Sequence, residues 1–117
     1  MPSSRHKSRL VAVLLLAGAA LPAFAGVKAG DAVKGKAVFT KNCVICHNAD
    51  GSGGKKLTAA GNPSRDFRDA KFWSERTDDQ IRAVINAGVP KSGMITWKGI
   101  LKPQEIEDVK AFLQTLK

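Results

Sequence analysis

Five residues near the middle of the chain, Cys43-Val44-Ile45-Cys46-His47, constrain it more than any other stretch. The run matches the C-x-x-C-H pattern of haem c attachment. Two cysteines three apart near a helix end can both reach the vinyl groups of one haem. The adjacent histidine then swings under the macrocycle and offers a ring nitrogen to iron. Three other chemistries use a similar pair. A thioredoxin-like C-x-x-C calls for a βαβ context, a Cys₂His zinc site needs a fourth ligand, and a plain structural disulfide would leave His47 incidental.

The N-terminal residues narrow the choice. Arg5, Lys7 and Arg9 precede an apolar run from Leu10 to Leu21, and Pro22 leads into Ala23-Phe24-Ala25. That order predicts a secretory signal peptide, residues 1–25, cut after a small-x-small site. The run falls short of the ~20 apolar residues that a membrane-spanning helix needs. No twin-arginine pair stands before it, and no cysteine follows the cut as a lipoprotein anchor would require. The expected mature domain, residues 26–117, keeps both cysteines but one histidine, His47, and one methionine, Met94. A zinc site there has no fourth protein ligand, and a His-assisted nucleophile has no spare base.

Charge points to a partner only after this cut. The whole chain carries 19 Lys and Arg against 10 Asp and Glu, a net +9 with pI near 10. Such a balance by itself suggests nucleic acid or a membrane surface. Three of the basic residues leave with the signal peptide, so the mature part carries +6 on 92 residues. Export argues against nucleic acid as a partner and predicts a periplasmic location. Lys34, Lys36, Lys41, Lys55, Lys56, Lys91, Lys98 and Lys102 are spread along the chain, as a solvated surface or as a field that steers an acidic redox partner.

The mature part reads as all-α with two long loops. Asp31 can cap a helix whose apolar positions Val33, Ala37, Val38 and Ile45 are loosely periodic. Gly35 inside it costs about 1 kcal/mol against Ala, which suggests close backbone approach. Asn48 to Pro63 reads as loop, with Gly51-Ser52-Gly53-Gly54 its most flexible part. Its glycines and Lys55-Lys56 lack the spacing of a phosphate-binding loop. Thr77-Asp78-Asp79-Gln80 has capping-box spacing and opens a helix with Ile81, Val84 and Ile85 on one face, stopped by Gly88. Pro90 to Gly99 is the second loop. It contains Met94, which no helical apolar stripe explains and which can serve either as gap filler or as the sixth ligand of a haem iron. Pro103 and Glu105 open the last helix, where Ile106, Val109, Phe112, Leu113 and Leu116 recur at three- and four-residue intervals.

On these residues the sequence resembles the small class I c-type cytochromes over nearly all of the mature part. Gly30 to Phe39, then Cys43 and Cys46-His47, is similar to the family's first helix. Cys46 to Gly51 resembles the stretch after the haem motif, Gly93 to Trp97 the methionine loop, and Glu105 to Leu113 the closing helix. The resemblance implies the class I cytochrome c fold around one haem c, two thioethers from Cys43 and Cys46, and iron held by His47 and Met94. It implies that Pro63 offers a carbonyl to the other ring nitrogen of His47, and that Phe112 packs across Gly35. Trp97 and Phe67 read as packing. The implied role is a monomeric, soluble one-electron carrier and no enzyme; a haem subunit of a periplasmic oxidoreductase complex and a haem protein with an open sixth position are the alternatives. Ile95 stands where the family commonly has Pro, and Lys102 where it commonly has Ser or Thr.

Overall fold

The computed structural model describes residues 26–117; the expected signal peptide lies outside the described residues. Asp31 does cap α1 (Ala32–Asn42), its carboxylate accepting from the backbone N–H of Val33 at 2.9 Å and of Lys34 at 3.1 Å. The chain breaks at Cys43 and resumes as a single turn, α2 (Val44–His47), so the cysteine motif sits on its own short helix rather than on an extension of α1. Asn48, at φ 60°, ends it. Val33 and Ile45, expected on the apolar face, are 83% and 72% exposed, and the residues that α1 buries are Gly35 and Phe39.

Thr77 and Gln80 form the expected reciprocal capping box at the start of α4 (Asp78–Ala87), and Gly88 follows its end. Ile81 and Ile85 are buried. The last helix, α5 (Pro103–Gln114), has Pro103 in its first turn. Lys102 brings no hydroxyl to cap it, but the Glu105 carboxylate accepts from the Lys102 N–H at 2.8 Å. One element carries no sequence signal: α3 (Ala70–Ser74), capped by Asp69 and pinned where the Trp73 indole N–H donates to the Phe67 carbonyl at 2.7 Å. No strand forms among the described residues, and two isolated backbone bridges tie the second loop. The fold is all-α.

The crossing of α1 and α5 organises the domain. A Cβ on Gly35 would lie 1.8 Å from the Asp108 carbonyl oxygen and 2.9 Å from the Val109 nitrogen. Only glycine lets the two backbones meet there, which accounts for a helix-interior glycine. The nearest atoms across Gly35 are thus those of the α5 backbone. Phe112 packs on Phe39, with ring centroids 5.2 Å apart. Asp108, buried in α5, accepts from the Asp31 N–H at 2.9 Å and so ties the start of α1 to the same crossing.

Candidate functional site

The cavity beside this crossing has a volume of about 470 Å³, within the ordinary range for a small-molecule or cofactor pocket. Cys43, Cys46, His47 and Met94 all line it. Most of its remaining wall is apolar, including Phe39, Phe67, Ile81, Ile85 and Trp97. The first three functional side chains arrive together because α2 places them within one turn. Met94 comes from the opposite end of the chain. Val89 and Met94 exchange backbone hydrogen bonds of 2.9 and 3.2 Å, closing a tight loop around a 3₁₀ turn (Pro90–Ser92) and a left-handed Gly93 at φ 85°.

The thiols do not suit redox or zinc chemistry. Cys43 and Cys46 are both free. Burial, with the Cys46 sulfur adding to it, pushes the Cys43 thiol up to about 11, the opposite of what a reactive thiolate needs. Among the described residues no three His, Cys, Asp or Glu side chains gather as a metal ion would require. The donor set is two free thiols, one imidazole and one thioether around an apolar chamber. That set fits haem c attached through thioethers.

His47 is held from two sides. Its ring stacks on Phe67, centroids 4.6 Å apart and planes 25° from parallel, so Phe67 supports the imidazole as well as the core. Burial lowers its pKa while the bond to the Arg65 carbonyl opposes that, and the net direction favours the neutral form that metal ligation uses. The Nδ1–H faces the carbonyl of Arg65 at 3.3 Å. With Nδ1 as donor, Nε2 keeps the free lone pair. The acceptor is thus Arg65 and not Pro63, which lines the cavity two residues earlier. The reason lies in how the segment is tied down. Ser64 Oγ donates to the Cys46 carbonyl at 2.7 Å, and the Ser64 carbonyl accepts from the Gly54 N–H at 2.8 Å. Residue 64 is thereby spent on the haem motif and the glycine loop, and the next carbonyl meets the imidazole.

The glycine stretch is accordingly built, not slack. The Gly53 N–H donates to the His47 carbonyl at 3.0 Å, and the Phe67 N–H to the Gly51 carbonyl at 2.8 Å. A Cβ on Gly53 would sit 2.2 Å from the Arg65 oxygen, so this glycine permits the approach that brings Arg65 to His47. Sequence reasoning missed Arg65 because a backbone acceptor leaves no mark on side-chain identity.

It also missed the charge of the wall. Lys55, Arg65 and Arg76 line the cavity, and no carboxylate among the described residues does. Lys55 Nζ donates to the Ile45 carbonyl, and the Arg76 guanidinium lies 5.8 Å from the Phe72 ring centre. A wall with cations and no anions suits a ligand that carries carboxylates.

Comparison with known proteins points to one family. The family profile "Cytochrome c" matches residues 32–117. The chain is 36% identical over 103 residues to a cytochrome c6 of Nostoc sp., covering 86% of each. It is 33% identical over 91 residues to the cbb3-type cytochrome c oxidase subunit FixP of Bradyrhizobium diazoefficiens, of which it spans 29%. Among solved structures it resembles the KustC0563 c-type cytochrome, with a TM-score of 0.62, 28% identity, and coverage of 71% of this chain and 96% of that one. The chain belongs to the cytochrome c family, as a small class I c-type cytochrome whose cofactor is a covalently bound haem c and whose general role is to carry electrons.

Proposed function

We propose that the protein is a soluble, monomeric one-electron carrier of the periplasm, with haem c held through Cys43 and Cys46 and its iron ligated by His47 and Met94. The convergence of these four side chains on one apolar cavity carries the reading. Bound haem c supplies the Fe(II)/Fe(III) couple. His47 offers Nε2 because its Nδ1–H is directed to the Arg65 carbonyl. Met94 offers a soft thioether, which favours reduced iron and raises the potential relative to a second histidine. The apolar walls keep water from the metal. Lys55, Arg65 and Arg76 supply positive charge for the two propionates.

Residues 1–25 act as the export signal, and no helix among the described residues is long and apolar enough to cross a membrane. The exposed lysines steer an acidic redox partner. The test is the visible spectrum of holoprotein purified from the periplasm, wild type against Met94→Ala. Wild type is expected to show a low-spin spectrum with the long-red methionine–ferric band, which the variant loses. Unchanged ligation in Met94→Ala overturns the distal assignment. The similarity to FixP favours a second reading, a haem c subunit of a periplasmic oxidoreductase complex. Copurification with a catalytic subunit from the native host selects it.

A further inference from the structure

One short segment, residues 57–65, touches the elements that carry both proposed iron ligands. Its far end fixes the His47 side through Ser64 and Arg65, as described above. Its near end lies against the methionine loop. The Thr58 hydroxyl donates to the Lys91 carbonyl and accepts from the Gly61 N–H at 3.0 Å. The Asn62 N–H donates to Ser92 Oγ at 3.2 Å. The fit is close: a Cβ on Gly61 would stand 2.4 Å from the Ser92 Cα, and one on Gly93 3.0 Å from the Leu57 Cβ. These contacts fall on the three residues immediately before Met94. On its other side the loop is tied to the end of α4, where the Trp97 N–H donates to the Ile85 carbonyl at 3.2 Å and the Thr96 hydroxyl to that of Asn86.

We propose that Thr58 is a positioning residue for the distal ligand: its hydroxyl latches the Lys91–Gly93 turn onto the 57–65 segment and so holds Met94 against iron. The proposal rests on Met94 being that ligand. An external ligand such as carbon monoxide can bind ferrous iron only when the thioether has left. The latch therefore sets how often the sixth position opens. Loss of one hydrogen bond changes such an equilibrium by roughly two- to tenfold.

The experiment is stopped-flow uptake of carbon monoxide by ferrous holoprotein, together with the methionine–ferric band of the oxidised form. Thr58→Val is expected to raise uptake by roughly two- to tenfold and to weaken the band, while Thr58→Ser, which restores the hydroxyl, returns both towards wild type. Ser92→Ala removes the neighbouring bond and should move both readings in the same direction, so the proposal stays testable if Thr58→Val does not fold. Thr115→Val, which deletes a hydroxyl bond to the Phe112 carbonyl at the end of α5, is the control for general destabilisation. An equal rise in that control overturns the latch. So does wild-type uptake in both Thr58→Val and Ser92→Ala when Met94→Ala takes up carbon monoxide freely. If Met94→Ala itself behaves as wild type, the ligand assignment fails instead.

Discussion

Acidification should loosen the contact between α4 and α5 through one carboxyl group, Glu107. Glu107 accepts from the Arg82 guanidinium and, at 2.7 Å, from Lys110 Nζ. Lys110 is 3% exposed and also reaches Asp78 at 2.6 Å. The Arg82 hydrogen bonds, opposed by burial and reinforced by Lys110, hold the Glu107 carboxyl at about 2 instead of its ordinary 4.5. The unfolded chain therefore binds this proton more tightly than the folded one. Its stabilisation is complete above the ordinary value and disappears as pH falls towards 2. Each tenfold change in proton affinity is worth ~1.4 kcal/mol. The shift then amounts to about 3 kcal/mol, which solvent screening at Arg82, 37% exposed, trims to about 2.

The assay is urea unfolding of holoprotein at several pH values, wild type against Glu107→Gln. Groups common to both proteins, haem ligands included, cancel in the difference. Wild type should exceed the variant by about 2 kcal/mol near neutrality, and the gap should close as the medium approaches about pH 2. A gap that stays constant across that range refutes the assignment of the low pKa to this cluster. A variant as stable as wild type at neutrality refutes the energetic claim outright.

Gly35→Ala drives a Cβ into the α5 backbone, where no side-chain rotation can relieve it. Overpacking of about 3 kcal/mol, less about 1 kcal/mol of regained helix propensity, leaves a net loss of about 2 kcal/mol; thermal unfolding should fall by roughly 8–16 °C, and an unchanged Tm would show that the helices separate freely. Electron transfer to the natural partner should slow as ionic strength rises if the exposed lysines steer it. A rate indifferent to salt removes the acidic-partner reading.

What could be read from the sequence was local. Asp31, the Thr77–Gln80 pair and the Pro103–Glu105 start act on backbone groups one to four residues away, so their spacing alone locates three helices. The cysteine motif was legible for the same reason, since one turn of helix holds it. Helix α3 was not, because five residues are too few to show a period. Arg65 stayed hidden because its contribution is a carbonyl, and the proline that resemblance suggested lies two residues off. The Gly35 contact could be foreseen as a close backbone approach, but not which residues meet it, because the fold alone brings the α5 backbone at Asp108 there. The cations of the cavity wall come from separate loops, and only the fold brings Lys55 and Arg76 to one surface.

The core and the site are built from the same side chains. Among the described residues, six of the eight buried apolar ones, Phe39, Phe67, Ile81, Ile85, Val109 and Leu113, also line the cavity. A haem held here would therefore be packed as a core element, and a change at any of these six would act on folding and on the haem surroundings together. The two proposed iron ligands are held differently. Met94 belongs to a loop closed by its own backbone bonds and packs, with Trp97, against the edge of the core. His47 rests directly on Phe67, which meets Phe39 at 6.4 Å, which in turn meets Phe112. An aromatic chain thus runs from His47 to the α1–α5 crossing, while Met94 sits in a loop tied by hydrogen bonds. Core mutations should register first on the His47 side, and loop mutations on the Met94 side.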